Sequence, residues 1–511
     1  MTDKKIVIVG GGTAGWLSAL FAQQNLPSTD ITLIESDEIG ILGAGEGSVP
    51  LFISFLQSLK IDILDLINKT NSTYKYGISF DNWNGPDTSY FHSFTGSTLD
   101  DNTTGRTTEI DHAYRAYMLS KGQNPFDLLL GKQLVDQNKS HFITAYQEGH
   151  RGATEIQPPV GKSIHFDARA LAKYFREIAE QRGVVRIEGK ITTVNTDSDG
   201  YITDLHLESG QKIDADFVID CSGFARLVLG KTMGAEWQSY KEHLPAKAAL
   251  PFFLSADEFI KPCTQSIAMK YGWMWKIPLQ HRYGCGYVFD SDYIDYDQAK
   301  QEVEEFLGVE IDPPTKFKFE PGCFKENWIK NCVGVGLSAG FIEPLEATAI
   351  VVAVLQLLRL SDKAELIFTK QEAYKKTYNK IIRDLNEEIR DFIYFHYVTK
   401  RTDTEFWRDF TKNNKMPDSI RDAMEVWKDK PIVENGDFNG SAWMFGAVNW
   451  ASVGYGLGNI ITEENTSRLA ALHPKILQIG AQQELRFKMN NNTILPQAID
   501  QRAMMNIIKG H

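Results

Sequence analysis

An α/β fold that opens on a parallel sheet and closes on a mostly helical C-terminal part is what this sequence predicts, and three stretches predict it. The first is Ile6-Val7-Ile8-Val9, followed at once by a glycine cluster and a helical pattern. The second is the apolar run Phe217-Val218-Ile219, which ends at Asp220. The third is the region beyond about residue 360, charged, rich in Trp and Phe, and spaced as helix.

Taken in order, Ile6 to Val9 is β-branched and apolar at every position, as a central parallel strand buried on both faces must be. Thr13 to Leu26 has helical spacing, and Pro27 closes it. Ile31-Thr32-Leu33-Ile34 is a second strand, so the chain begins as a βαβ unit. Residues 81–150 are polar and broken by Asn-Gly and Gly-Pro-Asp, and are expected to form an insertion. A helix over Ala168–Arg182 leads into the strand Val184–Ile187, then a hairpin turning at Asp199-Gly200. Ala215–Asp220 is a further buried strand, and a third strand-turn-helix runs from Cys332 through Gly340 to a helix near Pro344. The expected divisions are 1–80, 81–150, 151–360 and 361–511.

Composition narrows the function. The chain of 511 residues carries a formal charge of -12 and has no dense Lys/Arg run, which argues against nucleic acid or an anionic membrane as partner. Lys4-Lys5 ahead of an apolar run looks like the start of a signal peptide. The run is only a few residues long and ends in glycine, so a first strand fits better. The longest apolar stretch, Ala347–Leu358, is too short to span a bilayer, and a cytoplasmic protein is expected. Five scattered cysteines with no C-x-x-C pair predict neither a disulfide framework nor a metal site.

Gly10-Gly11-Gly12-Thr13-Ala14-Gly15 has G-x-G-x-x-G spacing between the first strand and its helix. Gly10 permits a tight turn, Gly12 lets backbone approach a pyrophosphate, and Gly15 packs helix on strand. The helix start at Thr13 and Ala14 attracts phosphate. Glu35 ends the second strand, where a carboxylate can bind a ribose diol. With the strand ends at Asp220-Cys221-Ser222-Gly223 and near Gly336, three such turns resemble an FAD-binding three-layer fold of the glutathione-reductase or hydroxylase type.

Five further stretches resemble the flavin-dependent halogenases, the group that includes the tryptophan halogenases. Gly272-Trp273-Met274-Trp275-Lys276-Ile277-Pro278 matches their W-x-W-x-I-P motif, and Gly10 to Trp16 carries their tryptophan after the glycine turn. Gly45-Glu46-Gly47-Ser48-Val49-Pro50 resembles their flavin-contacting strap. Tyr74-Lys75-Tyr76-Gly77-Ile78 resembles the segment of the reactive lysine, and Gly340 to Thr348 the halide and glutamate segment. The resemblance runs from residue 5 to about 360 in family order. It divides the chain into an FAD-binding core over 1–80 and 151–360, an insertion over 81–150 and a helical substrate subdomain over 361–511.

The resemblance implies halogenation of an electron-rich aromatic compound with reduced FAD, oxygen and chloride, bromide or iodide. A flavin C4a-hydroperoxide would oxidise the halide to hypohalous acid, which reaches Lys75. Lys75 then either forms a haloamine or holds the acid by a hydrogen bond, and Glu346 orients the electrophile and helps remove the ring proton. Backbone amides near Thr348 and Ala349, at a helix start, are the implied halide site. Each role has a plainer alternative. Lys75 fits a solvated strand lysine, Glu346 a first-turn carboxylate complementing the helix dipole, and Trp273 and Trp275 ordinary core packing.

Two departures stand out. Ala347-Thr348-Ala349 replaces the family's S-T-G, and Cys323 stands where an arginine is common. His92-Ser93-Phe94 resembles the H-x-F element beside the indole in tryptophan halogenases. The tyrosine and glutamate pattern that holds the amino-acid end of tryptophan is not matched. Trp443, Phe445, Trp450 and Tyr455 suit either an aromatic pocket or core. Free tryptophan is one candidate, beside other indoles, phenols and pyrroles. No second nucleotide domain is apparent, so a separate flavin reductase is implied, and a homodimer is compatible with the family. The competing readings are a flavin aromatic hydroxylase, which usually carries a Gly-Asp pair where this chain has Gly336-Leu337-Ser338, and an FAD-binding scaffold without catalysis.

Overall fold

A computed structural model describes residues 4–26, 28–39, 45–94, 107–140, 143–145, 154–156, 163–362, 364–429, 444–458 and 463–510. The chain divides into two compact units that alternate along the sequence. The first comprises Met1–Asn71, Phe166–Lys241 and Phe319–Glu387, and the second Ser72–His165, Glu242–Lys318 and Glu388–His511. These crossings fall at other places than the divisions at 80, 150 and 360 read from sequence.

The first unit is built on a six-stranded sheet ordered Val185–Glu188, Thr29–Glu35, Lys4–Val9, Phe217–Asp220, Cys332–Gly334 and Trp328–Ile329. All neighbours are parallel except the last pair. Ile6 to Val9 is buried at every position because helices and other strands cover both faces. The helix Thr13–Asn25 packs against the helices Ala168–Gln181 and Thr348–Ser361. The expected hairpin forms between Ile191–Thr196 and Ile202–Leu207, with Gly200 at φ 81°. Asp197 accepts hydrogen bonds from the Asp199 and Tyr201 amides to close its turn.

The helix expected near Pro344 begins at Thr348 instead. Glu346 (φ 67°) and Ala347 (φ 56°) are both left-handed, which a right-handed helix cannot include.

The second unit is built on a seven-stranded sheet ordered Phe317–Lys318, Ala248–Ser255, Arg282–Phe289, Gly272–Pro278, Thr264–Ala268, Gly77–Asp81 and Ser89–Ser93. Only Thr264–Ala268 and Gly77–Asp81 run parallel. The region 81–150, expected as an insertion, contributes to this unit. Its Asn84-Gly85 and Pro86-Asp87 breaks form the hairpin that brings Ser89–Ser93 onto the sheet edge. The same region supplies the helices Thr107–Ser120 and Leu130–Asp136. Polar turn residues set the hairpin, while Tyr90 and Phe91 bury the strand. Beyond residue 388 this unit is mostly helical, including Glu405–Asn413, Asp418–Asp429, Ala447–Gly456 and Pro474–Ile494.

Gly10 sits at φ 108°, and a Cβ there would stand 2.3 Å from the Cys221 carbonyl oxygen. Gly10→Ala is expected to cost more than about 3 kcal/mol, through left-handed strain and backbone overlap together. Thermal unfolding of the two purified proteins measures it, and a wild-type Tm in the variant would show that this crossing is not tight.

Candidate active site

Three strand ends of the first unit converge on the start of the helix Thr13–Asn25. The Gly10 amide donates to the Ile34 carbonyl at 2.8 Å, and a Cβ on Gly15 would lie 1.8 Å from the Gly10 carbonyl oxygen. The third end arrives through Gly336 (φ 72°), where a Cβ would lie 3.0 Å from that of Ala14. Gly336 donates its amide to the buried Gln356 at 2.8 Å. Gly12 precedes the helix with no side-chain cap, and a Cβ there meets nothing within 4 Å. Open space beside uncapped amides at Thr13, Ala14 and Gly15 is a cradle for phosphate.

Glu35 ends its strand as expected and fits this cradle. One carboxylate oxygen pairs with Arg186 at 2.5 Å and the other lies against Gly11, where a Cβ would meet it at 1.4 Å. The acid is thus held at the glycine turn by a basic neighbour, while its second oxygen stays on the side where a ribose diol binds. The residues present fit FAD, and Gly10, Gly12, Thr13, Ala14, Gly15, Glu35 and Gly336 would hold its nucleotide part.

The strap lies in the same unit, with Gly45 left-handed at φ 93°, Ser48 fully buried, and Glu46 on the short strand Glu46–Gly47. Burial, followed by the charge of Asp167, lifts the Glu46 carboxyl from 4.5 to about 7.

Glu346 is buried and belongs to this first unit. It stands ahead of the helix Thr348–Ser361, on a left-handed residue, which is not the geometry of a first-turn dipole partner. Two successive left-handed non-glycine residues cost on the order of 1–3 kcal/mol each, and such strain persists where geometry serves function. They also leave the amides of Thr348 and Ala349 at a helix start with no side-chain cap, which suits an anion. Thr348 is buried and Ala349 half-buried.

The second unit holds the other predicted residues. Lys75 is fully buried on the strand Thr73–Lys75, with its Nζ 5.0 Å from the centre of the Phe94 ring. A solvated strand lysine is excluded. His92 is buried and accepts from the Asn449 amide at 3.0 Å. Sequence reading missed Asn449, since nothing local to it signals a partner some 357 residues away.

On the motif strand, Trp273, Trp275 and Ile277 share one face and Met274 the other. Met274 enters a buried cluster with Leu250, Phe252, Tyr287 and Phe289. The tryptophans therefore face away from that cluster. Trp273 is buried, whereas Trp275 is half-buried and lies across Gly286, where a Cβ would fall 2.1 Å from the ring. Gly286 was not foreseen, because a glycine in a strand interior is legible only once its neighbour is known. Pro278 ends the strand, and its carbonyl accepts from the Thr73 hydroxyl at 2.7 Å.

Phe445 and Trp450 pack on Phe392 with ring centres 3.9 and 5.0 Å away, which is core packing, and Tyr455 is buried as well. Trp443 lies outside the described residues. Cys323 is buried, with its sulfur 3.2 Å from the Tyr240 hydroxyl. Among the described residues no group of His, Cys, Asp and Glu is arranged to hold a metal ion.

A nucleotide cradle in one unit and a buried lysine beside the motif strand in the other define an FAD-dependent enzyme of the halogenase class. The sequence profile of the tryptophan halogenase family matches residues 5–474. Tryptophan 7-halogenase RebH of Lentzea aerocolonigenes is 32% identical over 458 residues, covering 83% of this chain and 82% of its own. Tryptophan 6-halogenase SttH of Streptomyces toxytricini is 30% identical, covering 83% and 84%. The solved structure of Xcc4156, a flavin-dependent halogenase from Xanthomonas campestris, superposes with a TM-score of 0.85 at 30% identity, over 99% of each chain. The chain belongs to the tryptophan halogenase family of flavin-dependent halogenases, enzymes that use reduced FAD and a halide.

Two outcomes follow from this geometry. Gly12→Ala is expected to keep the Tm of the FAD-free protein and to weaken FAD binding by about tenfold or more, as flavin fluorescence titration reads directly. Glu46 binds its proton more tightly folded than unfolded. Its stabilising effect is therefore complete below pH 4.5 and is lost as pH rises through about 7. Relative to Glu46→Gln, the wild type should lose stability across that window. Denaturant melts at about pH 4 and about pH 8 test it, and a constant difference would show Glu46 to be ordinary.

Proposed function

We propose that this chain halogenates an electron-rich aromatic ring of the indole or phenol type, with Lys75 and Glu346 as its catalytic residues and the Thr348 and Ala349 amides as its halide site. The carrying observation is Lys75, a fully buried lysine over the Phe94 ring on a strand tied to Pro278 of the tryptophan motif. Reduced FAD, when bound, supplies the electrons that activate oxygen so that the halide is oxidised to an electrophile.

The remaining work falls to this chain's own side chains. A cation over an aromatic face is stabilised in its charged form. The Phe94 ring supports Lys75 as an ammonium that holds the electrophilic halogen species by a hydrogen bond, in preference to a neutral amine that is itself halogenated. Glu346 takes the proton that the ring carbon gives up when its new bond to halogen forms. Trp273 and Trp275 contribute bulk that shields the motif side of their strand, and His92 and Phe94 contribute apolar edges suited to an aromatic ring.

A separate flavin reductase, reached by diffusion, is the proposed source of reduced FAD, and the proposed setting is the cytoplasm. Among the described residues no helix is long and apolar enough to cross a membrane. A homodimer is the proposed assembly, on family resemblance alone.

Purified protein with FAD, a flavin reductase, NADH and oxygen, offered one halide at a time and a panel of indoles and phenols, tests the reading by mass spectrometry. Lys75→Ala and Glu346→Gln should each lower halogenated product by about 10²–10⁴-fold, the range of a positioned acid–base group. Undiminished product from Lys75→Ala would remove the lysine from the chemistry. Hydroxylated product without halogen would make the chain a hydroxylase, and no halide-dependent product from any substrate would leave an FAD-binding scaffold.

A further inference from the structure

The strand that carries Lys75 is held by several buried side chains. Gln280 donates its amide to the Ser72 carbonyl at 2.7 Å, and Gln501 accepts from the Tyr74 amide at 3.0 Å. Between them, Thr73 donates its hydroxyl to the Pro278 carbonyl at 2.7 Å. That hydroxyl has one proton, so toward His165 Nδ1, 3.1 Å away, it acts as acceptor. His165 therefore carries its proton on Nδ1, and Nε2 accepts from the Thr264 hydroxyl at 2.9 Å. Pro278, Thr73, His165 and Thr264 form one continuous chain of hydrogen bonds in which each imidazole nitrogen has a partner. Thr73, Lys75 and His165 are all fully buried.

Register places this chain next to the lysine. The strand Ser163–Phe166 runs antiparallel to Thr73–Lys75, with His165 opposite Thr73 and Ser163 opposite Lys75. Side chains alternate along a strand, so Thr73, Lys75, Ser163 and His165 project from one face and Tyr74 and Ile164 from the other. His165 is the diagonal neighbour of Lys75, at the separation of roughly 7–8 Å that such pairs keep.

We propose that His165 is a positioning residue for Lys75, acting through Thr73 to lock the lysine strand to the end of the tryptophan motif strand. The inference rests on the reading of Lys75 as the group that holds the electrophile. Its physical basis is that a hydrogen-bond chain fixes strand position more sharply than apolar packing does, and a misplacement of about 1 Å can cost about 10²-fold in rate. The bonding accommodates a neutral ring, the form that burial of His165 favours.

The test compares wild type, Lys75→Ala, His165→Leu and His165→Gln as FAD-loaded enzymes. Two products are counted: halogenated aromatic substrate, and free hypohalous acid caught by a water-soluble 1,3-diketone. Lys75→Ala defines the phenotype of a lost lysine, with aromatic product gone and trapped oxidant retained. His165→Leu should lower kcat by about 10–100-fold, leave the aromatic KM within about twofold and raise the ratio of trapped oxidant to product. His165→Gln keeps one donor and one acceptor and should restore kcat to within a few-fold of wild type. Where His165→Leu does not fold, Thr264→Val replaces it with the same expectation. A wild-type ratio of oxidant to product in His165→Leu or Thr264→Val overturns the proposal, as does a Gln variant no better than Leu. Should Lys75→Ala keep its aromatic product, the reading of the lysine fails first and takes this inference with it.

Discussion

Backbone crossing at Gly10, Gly15 and Cys221 is the constraint on which the first unit depends. Two strand ends and a helix start come within contact distances that no Cβ tolerates. That closeness leaves the first amides of the helix Thr13–Asn25 open at Gly12 and sets Glu35 against Gly11. Ala14 then meets Gly336, so the third strand end is drawn to the same point. The nucleotide cradle is thus a by-product of tight packing by small residues. No dedicated binding side chain is needed to shape it, and its acid is held in place by Arg186.

The second unit solves a different problem, which is to keep a lysine inside protein. Lys75 is fully buried, over an aromatic face and within the fixed frame of its strand. Burying a charge is costly unless its surroundings are polar or polarisable and rigid. The hydrogen-bonded run from Pro278 through Thr73 and His165 to Thr264 provides rigidity without adding a second charge. Trp275 resting on Gly286 adds a wide apolar surface at the neighbouring strand pair.

Much of this was legible in the sequence, for reasons that differ by residue. The glycine turn, Glu35 and the strands around them are local features, in which spacing alone reports geometry. The motif residues Trp273, Trp275, Lys75 and Glu346 were singled out through resemblance alone, since isolated tryptophans, lysines and glutamates carry no signal of their own. The alternation of the two units was not legible, because it depends on which strands pair across long gaps. Ser89–Ser93 shows the difficulty: the turn residues before it were plain, but its place at the edge of a sheet with Thr264–Ala268 was not. His165 escaped for the same reason, its partners lying 92 and 99 residues away. The left-handed pair Glu346-Ala347 escaped because neither residue type favours that conformation.

The burial of every cysteine has a meaning beyond packing. A protein that handles oxidised halogen lives beside a reagent that attacks sulfur, and the attack runs through the thiolate. Burial holds Cys221, Cys263 and Cys285 as thiols by pushing each up to about 12, and it pushes Cys332 well above the usual thiol range. Each is therefore both shut away from solvent and chemically quiet. Met489, by contrast, is 68% exposed on the surface of the helix Pro474–Ile494. The sulfur of the interior is thus placed where oxidation would be slow, and the exposed thioether is one whose conversion to sulfoxide would disturb little packing.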